Sequence, residues 1–242
     1  PAFAKVQEYR DQVHKMVTDI IKNHPCFDEE RNIDNEKFWA VVMGFEHDKI
    51  HMETSSVLIR EMPLSKVKVP DGWPVPHDSN YKEGKSPGVP VRGKDYPLSN
   101  DFVKVEPTTV KLGRPKSWPT FGWDNSYGEE VHEVRAFSAN QNFISNGEYY
   151  EFVADGGYQK EKYWTEDSWN WKKFRDVGMP TFWRGSLSDI DKDGGLRLRM
   201  IFEEAPMQWD WPVIVNFHEA KSYSRWVVFS FPVKSPESST CV

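Results

Sequence analysis

Two histidines four residues apart, His47 and His51, are the side chains of this 242-residue chain whose type and spacing point most directly at chemistry. They lie within FWAVVMGFEHDKIHMETSSVLIR, residues 38–60. On an α-helix, positions i and i+4 stack on one face, so both imidazoles can aim a nitrogen at one ion. Neutral imidazole suits iron, zinc, copper and nickel. Histidine pairs at this spacing also occur as plain surface or packed residues, and the pattern alone leaves both readings open. The zinc-peptidase use of the spacing, H-E-x-x-H, needs a glutamate directly after the first histidine as general base. Here that place holds Asp48, a shorter arm, which argues against a zinc peptidase.

Positioning the pair requires a continuous helix, and the sequence supplies one. Apolar residues recur at Phe38, Val41, Val42, Phe45, Ile50, Val57 and Leu58, no proline falls between Phe38 and Met62, and Pro63 ends the run. Residues 5–23 predict a second, amphipathic helix with Val6, Tyr9, Val13, Met16, Val17, Ile20 and Ile21 on its apolar side, stopped by Pro25. His14, near that side, reads as a core or boundary residue. Residues 28–36 form a polar connection. Two helices cannot enclose a core by themselves, so partner helices are expected upstream. The chain opens at Pro1 in helix-like sequence and reads as a piece of a longer protein.

From Leu64 to Ser99 the composition turns to Pro, Gly, Lys, Asp and Ser, with Trp73 and Tyr96 as isolated anchors. That predicts an extended crossover or linker, of the kind that can also line a site. Beyond it FVKVEPTTVKLG, residues 102–113, alternates apolar and polar residues as a strand pair, and residues 131–137 predict another strand. A short helix follows, capped by Ser145 or Asn146, with Tyr149, Phe152 and Val153 on its apolar stripe and Gly156-Gly157 at its end. Residues 191–195 predict a turn, and WPVIVNFHEAKSYSRW, residues 211–226, a strand then a helix, with His218 at the helix start and not a ligand. Trp164, Trp169 and Trp171 read as core and loop anchors, and Asp124 and Asn125 as turn formers. Glu53 reads as a solvated helix-face carboxylate beside the histidines, with a hydrogen bond to a metal ligand as the alternative. Arg135 and Arg184 are candidates for gripping a substrate carboxylate.

Composition bounds the function. Aromatics make up 14% of the chain, with eleven tryptophans, and net charge is −6 with both signs mixed. The absence of a basic tract argues against nucleic acid as a partner. Cys26 and Cys241 form no metal-type or disulfide framework, which makes a reducing cytoplasm the expected compartment. No stretch approaches the roughly 20 apolar residues of a membrane span. No nucleophile–base triad motif or phosphate-binding glycine loop is present.

GFEHDKIHMETSSVLIR in the first half, with GWDNSYGEEVHEVRAF, ISNGEYYEFVADGGY, YWTEDSWNW and WPVIVNFHEAKSYSRW in the second, resembles the 5-histidylcysteine sulfoxide synthases of ovothiol biosynthesis. Those are relatives of the ergothioneine-pathway sulfoxide synthases. The resemblance covers residues 1 to about 226 and carries the two blocks in the family's order. It implies an α+β chain: the C-terminal part of a DinB-like helical bundle (residues 1–64), an extended linker (65–99), a partial C-type-lectin-like, formylglycine-generating-enzyme-like domain (100–226) and a divergent tail (227–242) whose Ser/Pro character suits disorder.

The resemblance further implies a non-haem Fe(II) held by three histidines, two of them on one helix in the pattern that His47 and His51 match. The third lies upstream in the family, and His14 and His24 do not match its motif. The implied substrates are cysteine, histidine and O2. The sulfur of cysteine is joined to the imidazole ring and oxidised to a sulfoxide. No catalytic residue besides the ligands is assigned, because the family's tyrosine for oxygen chemistry lies beyond the matching region. The activity is accordingly expected of the longer protein and not of this chain alone. The alternatives are an ergothioneine-type enzyme acting on trimethylated histidine and a non-catalytic lectin-like binding module, since fold does not fix function.

Overall fold

Helix-forming sequence bounded by prolines sets the first two elements. The computed structural model describes residues 2–25, 36–74, 88–118, 120–192 and 195–230. The predicted connection at 28–35, much of the crossover (75–87), Cys26, Cys241 and the end of the tail lie outside those residues. Helix α1 spans Phe3–Asn23, closes with the His24 amide on the Ile20 carbonyl at 2.9 Å, and buries none of its residues. Helix α2 spans Glu36–Glu61 and contains both histidines. Its apolar and charged side chains are mixed around the axis with little amphipathic bias. Phe45, Ile50, Met52, Val57 and Leu58 stand exposed.

Among the described residues seven short strands and three further α-helices follow: β1 (Phe102–Val105), β2 (Thr108–Leu112), β3 (Glu130–Val134), β4 (Phe137–Asn140), α3 (Asn146–Ala154), α4 (Glu166–Arg175), β5 (Trp183–Arg184), β6 (Arg197–Arg199), β7 (Glu204–Pro206) and α5 (Phe217–Ser230). Contacts divide the chain into two compact units, Pro1–Thr54 with Thr109–His132, and Ser55–Thr108 with Glu133–Val242. The first holds a small aromatic cluster in which Phe121 packs on Trp39 and Trp123 at ring-centroid distances of 5.5 and 5.1 Å.

The second unit contains the main core. Antiparallel β1–β4 runs from Phe102 opposite Asn140 to Val105 opposite Phe137, and a second antiparallel sheet has the order β5–β6–β7. Phe152, Tyr158, Leu196, Met207, Tyr149, Trp183 and Trp209 are almost wholly buried. Each helix start here is capped from its own sequence. Ser145 and Glu148 form a reciprocal capping box on α3, and the Thr165 hydroxyl accepts the Ser168 amide on α4. At the start of α5 the Asn216 side chain accepts the Glu219 amide while the Glu219 carboxylate accepts the Asn216 amide, both at 3.0 Å. Two glycines admit aromatic rings that any side chain would block: Gly147 against Tyr96 and Gly157 against Phe152. A strap before β1 is fixed by Arg92, whose guanidinium forks onto Glu151 at 2.9 and 2.5 Å, with the Tyr96 hydroxyl on the same carboxylate.

Several local expectations need correction. FVKVEPTTVKLG does form two strands, but they do not pair with each other: β1 pairs with β4 and β2 with β3. The strand expected at 131–137 is two strands, interrupted at Arg135 and Ala136. Residues 211–216 form no strand, only an isolated bridge from Ser145 to Pro212. Alternation of side chains signals extended backbone but not its partner, which the tertiary fold chooses. Helix α5 also runs on past Trp226 to Ser230.

Candidate metal centre

The α2 backbone carries His47 and His51 one turn apart, and the structure turns both rings toward each other. Their Nε2 atoms are 3.2 Å apart, and the rings meet edge-to-face with centroids 4.4 Å apart. Two imidazole nitrogens, each about 2.1 Å from one ion, would be roughly 3.0 Å apart at a right angle and about 3.4 Å apart at a tetrahedral angle. The observed separation falls between the two, so the pair fits two adjacent corners of a metal's coordination sphere without moving the helix. Both side chains are exposed.

The contacts of α2 around the pair are local to the helix. Glu46 and Lys49 form an ion pair at 2.7 Å, and the Thr54 hydroxyl donates back to the carbonyls of Ile50 and His51 at 3.0 and 3.2 Å. Gly44 has open space where a side chain would stand, so it leaves no close packing to distort the turn. Asp48 is displaced about 100° around the axis from His47, and cannot share that face. Among the described residues no group of three or more His, Cys, Asp or Glu that could hold a metal ion is present.

Glu53 and Arg135 are exposed, and Arg184 is half-buried with its guanidinium on the Thr181 carbonyl at 3.0 Å. The Asp124 carboxylate accepts the Asn125 amide at 2.9 Å inside a tight turn, and Trp164, Trp169 and Trp171 belong to the aromatic core of the second unit or pack against it. His218 is the second residue of α5, its Nδ1 2.9 Å from the Ser168 hydroxyl and its ring stacked on Trp171. Sequence reasoning missed a buried cluster in the second unit. There the Tyr158 hydroxyl donates to Glu219 at 2.5 Å, and burial raises the carboxyl pKa of Glu219. The N-x-x-E spacing of Asn216 and Glu219 was the available signal.

With the geometry established, relatives supply a chemical context. No family model matches the chain. It is similar to the hercynine oxygenase of Mycobacterium tuberculosis, 30% identical over 118 residues, which is 49% of this chain and 26% of that protein. These relatives are oxygenases. The hercynine oxygenase of Mycolicibacterium smegmatis is 28% identical over 167 residues, covering 67% of this chain and 37% of its own length. An ergothioneine biosynthesis protein of Neurospora crassa is 27% identical over 128 residues, or 50% of this chain and 13% of that protein. The chain thus spans between about an eighth and rather more than a third of the curated relatives it matches. Their names belong to the ergothioneine branch of the resemblance and not to the ovothiol branch. Among the described residues no helix is long and apolar enough to cross a membrane.

Proposed function

We propose that this chain is part of an Fe(II)- and O2-dependent sulfoxide synthase that joins the sulfur of cysteine to an imidazole ring, with His47 and His51 as two of the iron ligands. The observation that carries the reading is the pair of facing Nε2 atoms on one helix, in a chain similar to hercynine oxygenases. An imidazole-ligated iron with open positions supplies the means to bring a thiol and O2 together. The chain's own contribution is positional. Helix α2 sets both imidazoles on one face at a bite that needs no rearrangement, which lowers the ordering cost of binding the ion. The exposed side of that face leaves room for the remaining ligands and substrates.

The reading extends to architecture and substrate. Helices α1 and α2, with apolar side chains left uncovered, suit part of a DinB-like bundle, and the short antiparallel sheets with α3–α5 suit part of a C-type-lectin-like domain. The imidazole substrate is hercynine, the trimethylated histidine after which the mycobacterial relatives are named. A second reading, unmodified histidine in ovothiol synthesis, is favoured by the block MGFEHDKIHMETSSVLIR. The test supplies the longer Fe(II)-loaded protein with cysteine, O2 and either imidazole, and follows product by mass spectrometry. Sulfoxide formed preferentially from hercynine, and lost in His47→Ala and His51→Ala, is the expected result. Preference for histidine selects the second reading. Undiminished product in both variants sinks the ligand assignment, and no product from either imidazole in an iron-replete protein leaves a binding module.

A further inference from the structure

The three-stranded sheet of the second unit turns its arginines to one face. Antiparallel register places Arg184 of β5 directly opposite Arg197 of β6, and side chains of directly opposite residues stand on the same face. Arg199, two residues along β6, shares that face, opposite Glu204 of β7. Trp183, Leu198 and Ala205 alternate to the other face and are buried in the core. By the same alternation Phe182 stands on the arginine face, and the guanidinium of Arg60, from the end of α2, lies 3.8 Å from the centroid of its ring. Four arginines thus meet one glutamate among the paired residues of the sheet, in a chain whose net charge is −6.

Bracing of the backbone uses up one of the four. Arg199 turns its guanidinium onto the carbonyls of Ile59, Arg60, Met62 and Glu203. The other three each give a single nitrogen to the main chain: Nε of Arg60 to the Arg199 carbonyl, Nη1 of Arg184 to Thr181 and Nη2 of Arg197 to Glu204. Their remaining guanidinium nitrogens make no hydrogen bond among the described residues, and no carboxylate there lies within ion-pair distance of any of the four. Arg60, Arg184 and Arg197 are half-buried, so water screens their repulsion less than it would on an open surface. Like charges directly opposite in a sheet are destabilising, and burial with Arg199 and Arg184 nearby lowers the Arg60 pKa to about 10. Each fork is held by one carbonyl, which fixes its orientation and leaves its other donors to a ligand.

We propose that Arg60, Arg184 and Arg197 form a binding site for a phosphate-class dianion, either inorganic phosphate or the phosphate of a monoester. With Glu204 set against Arg199, three cations remain without a counter-charge, and a lone carboxylate would neutralise only one of them. A phosphate carries close to two negative charges at neutral pH and several acceptor oxygens, which guanidinium forks grip two at a time. The stack on Phe182 holds the Arg60 fork in place from its apolar side. All three arginines belong to the second unit, and the site does not depend on the iron reading.

The test is isothermal titration of this chain at neutral pH with inorganic phosphate, glycerol 2-phosphate and acetate, each at an ionic strength held constant with sodium chloride. One-to-one saturable binding of a phosphate is expected, with acetate binding far more weakly. Arg184→Gln and Arg197→Gln should each weaken it by roughly tenfold or more, the effect of losing a hydrogen bond between charged groups. Arg60→Lys, which keeps the charge and loses the fork, should weaken it as well. Tighter binding of inorganic phosphate identifies the free ion as the ligand, and tighter binding of the ester identifies an organic phosphate. Should the variants fold poorly, hydrogen exchange of the parent chain decides the matter: phosphate, and not chloride, should protect residues 59–62 and strands β5 and β6. No saturable binding of either phosphate, acetate binding as tight as phosphate, equal affinity in the glutamine variants, or protection confined to other segments overturns the proposal and leaves the arginines as braces of the backbone.

Discussion

Arg60 and Arg199 exchange hydrogen bonds with each other's backbone: Nε of Arg60 donates to the Arg199 carbonyl at 2.5 Å, and Nε of Arg199 donates to the Arg60 carbonyl at 3.2 Å. Arg199, from β6, also reaches the carbonyls of Ile59 and Met62 at 3.5 and 3.3 Å. Its cation thus sits on the unsatisfied C-terminal carbonyls of the histidine helix, where the helix dipole favours positive charge. Arg60 lies 3.8 Å from the centroid of Phe182, and burial with Arg199 and Arg184 nearby lowers its pKa to about 10, which leaves it cationic at neutral pH.

Arg199→Leu should therefore destabilise the second unit by about 1–3 kcal/mol, because partly buried carbonyls lose their donors. Urea unfolding followed by tryptophan fluorescence measures this. Arg199→Lys, a point charge without the fork, should recover only part of the loss.

Metal affinity gives the second prediction. Anaerobic Fe(II) titration should show that His47→Ala and His51→Ala each weaken binding by at least the roughly 10- to 100-fold typical of losing an outer-shell partner. Asp48→Ala, on a different bearing of the same helix, should leave affinity unchanged. Equal loss in all three would mean that the helix and not the pair had been disturbed.

Glu219 sets a pH dependence. Burial raises its carboxyl pKa from the usual 4.5, outweighing the opposing Asn216 and Tyr158 hydrogen bonds and the nearby His218. In the window between the unfolded and the raised folded value the native state holds the proton more tightly. Stability contributed by this group is present below that window and declines as pH rises through it. Glu219→Gln should flatten that decline in thermal melts recorded across the acidic range.

Close ring packing makes a fourth test. Gly147→Ala would drive a methyl group into the Tyr96 ring, and Gly157→Ala would do the same at Phe152. Each should cost about 1–3 kcal/mol by overpacking. Gly44→Ala, in open space on α2, should instead be neutral or mildly stabilising.

Helix α1 buries none of its residues, whereas Tyr149, Phe152 and Tyr158 are sealed. Limited proteolysis should accordingly cut within α1 before it cuts α3. Prior cleavage in α3 would show that α1 is protected by contacts other than those described.

The sequence by itself determined helices α1, α2, α3 and α5, the Ser145 cap and the histidine pair, because each depends on spacing along one continuous backbone, whereas α4 with its Thr165 cap went unread beneath its tryptophans. His47 and His51 share a face wherever residues 38–60 are helical, and Ser145 caps α3 through a box spelled out within four residues. Tertiary structure alone decided what extended segments pair with: the alternation at 102–112 was legible, yet β1 went to β4 and β2 to β3. It alone brought Tyr158 to Glu219, sixty-one positions away, and Arg199 to the end of α2. Local patterns record what a residue does to its own backbone. Long-range partners arise when buried polar groups must find donors and acceptors in the space that packing leaves them.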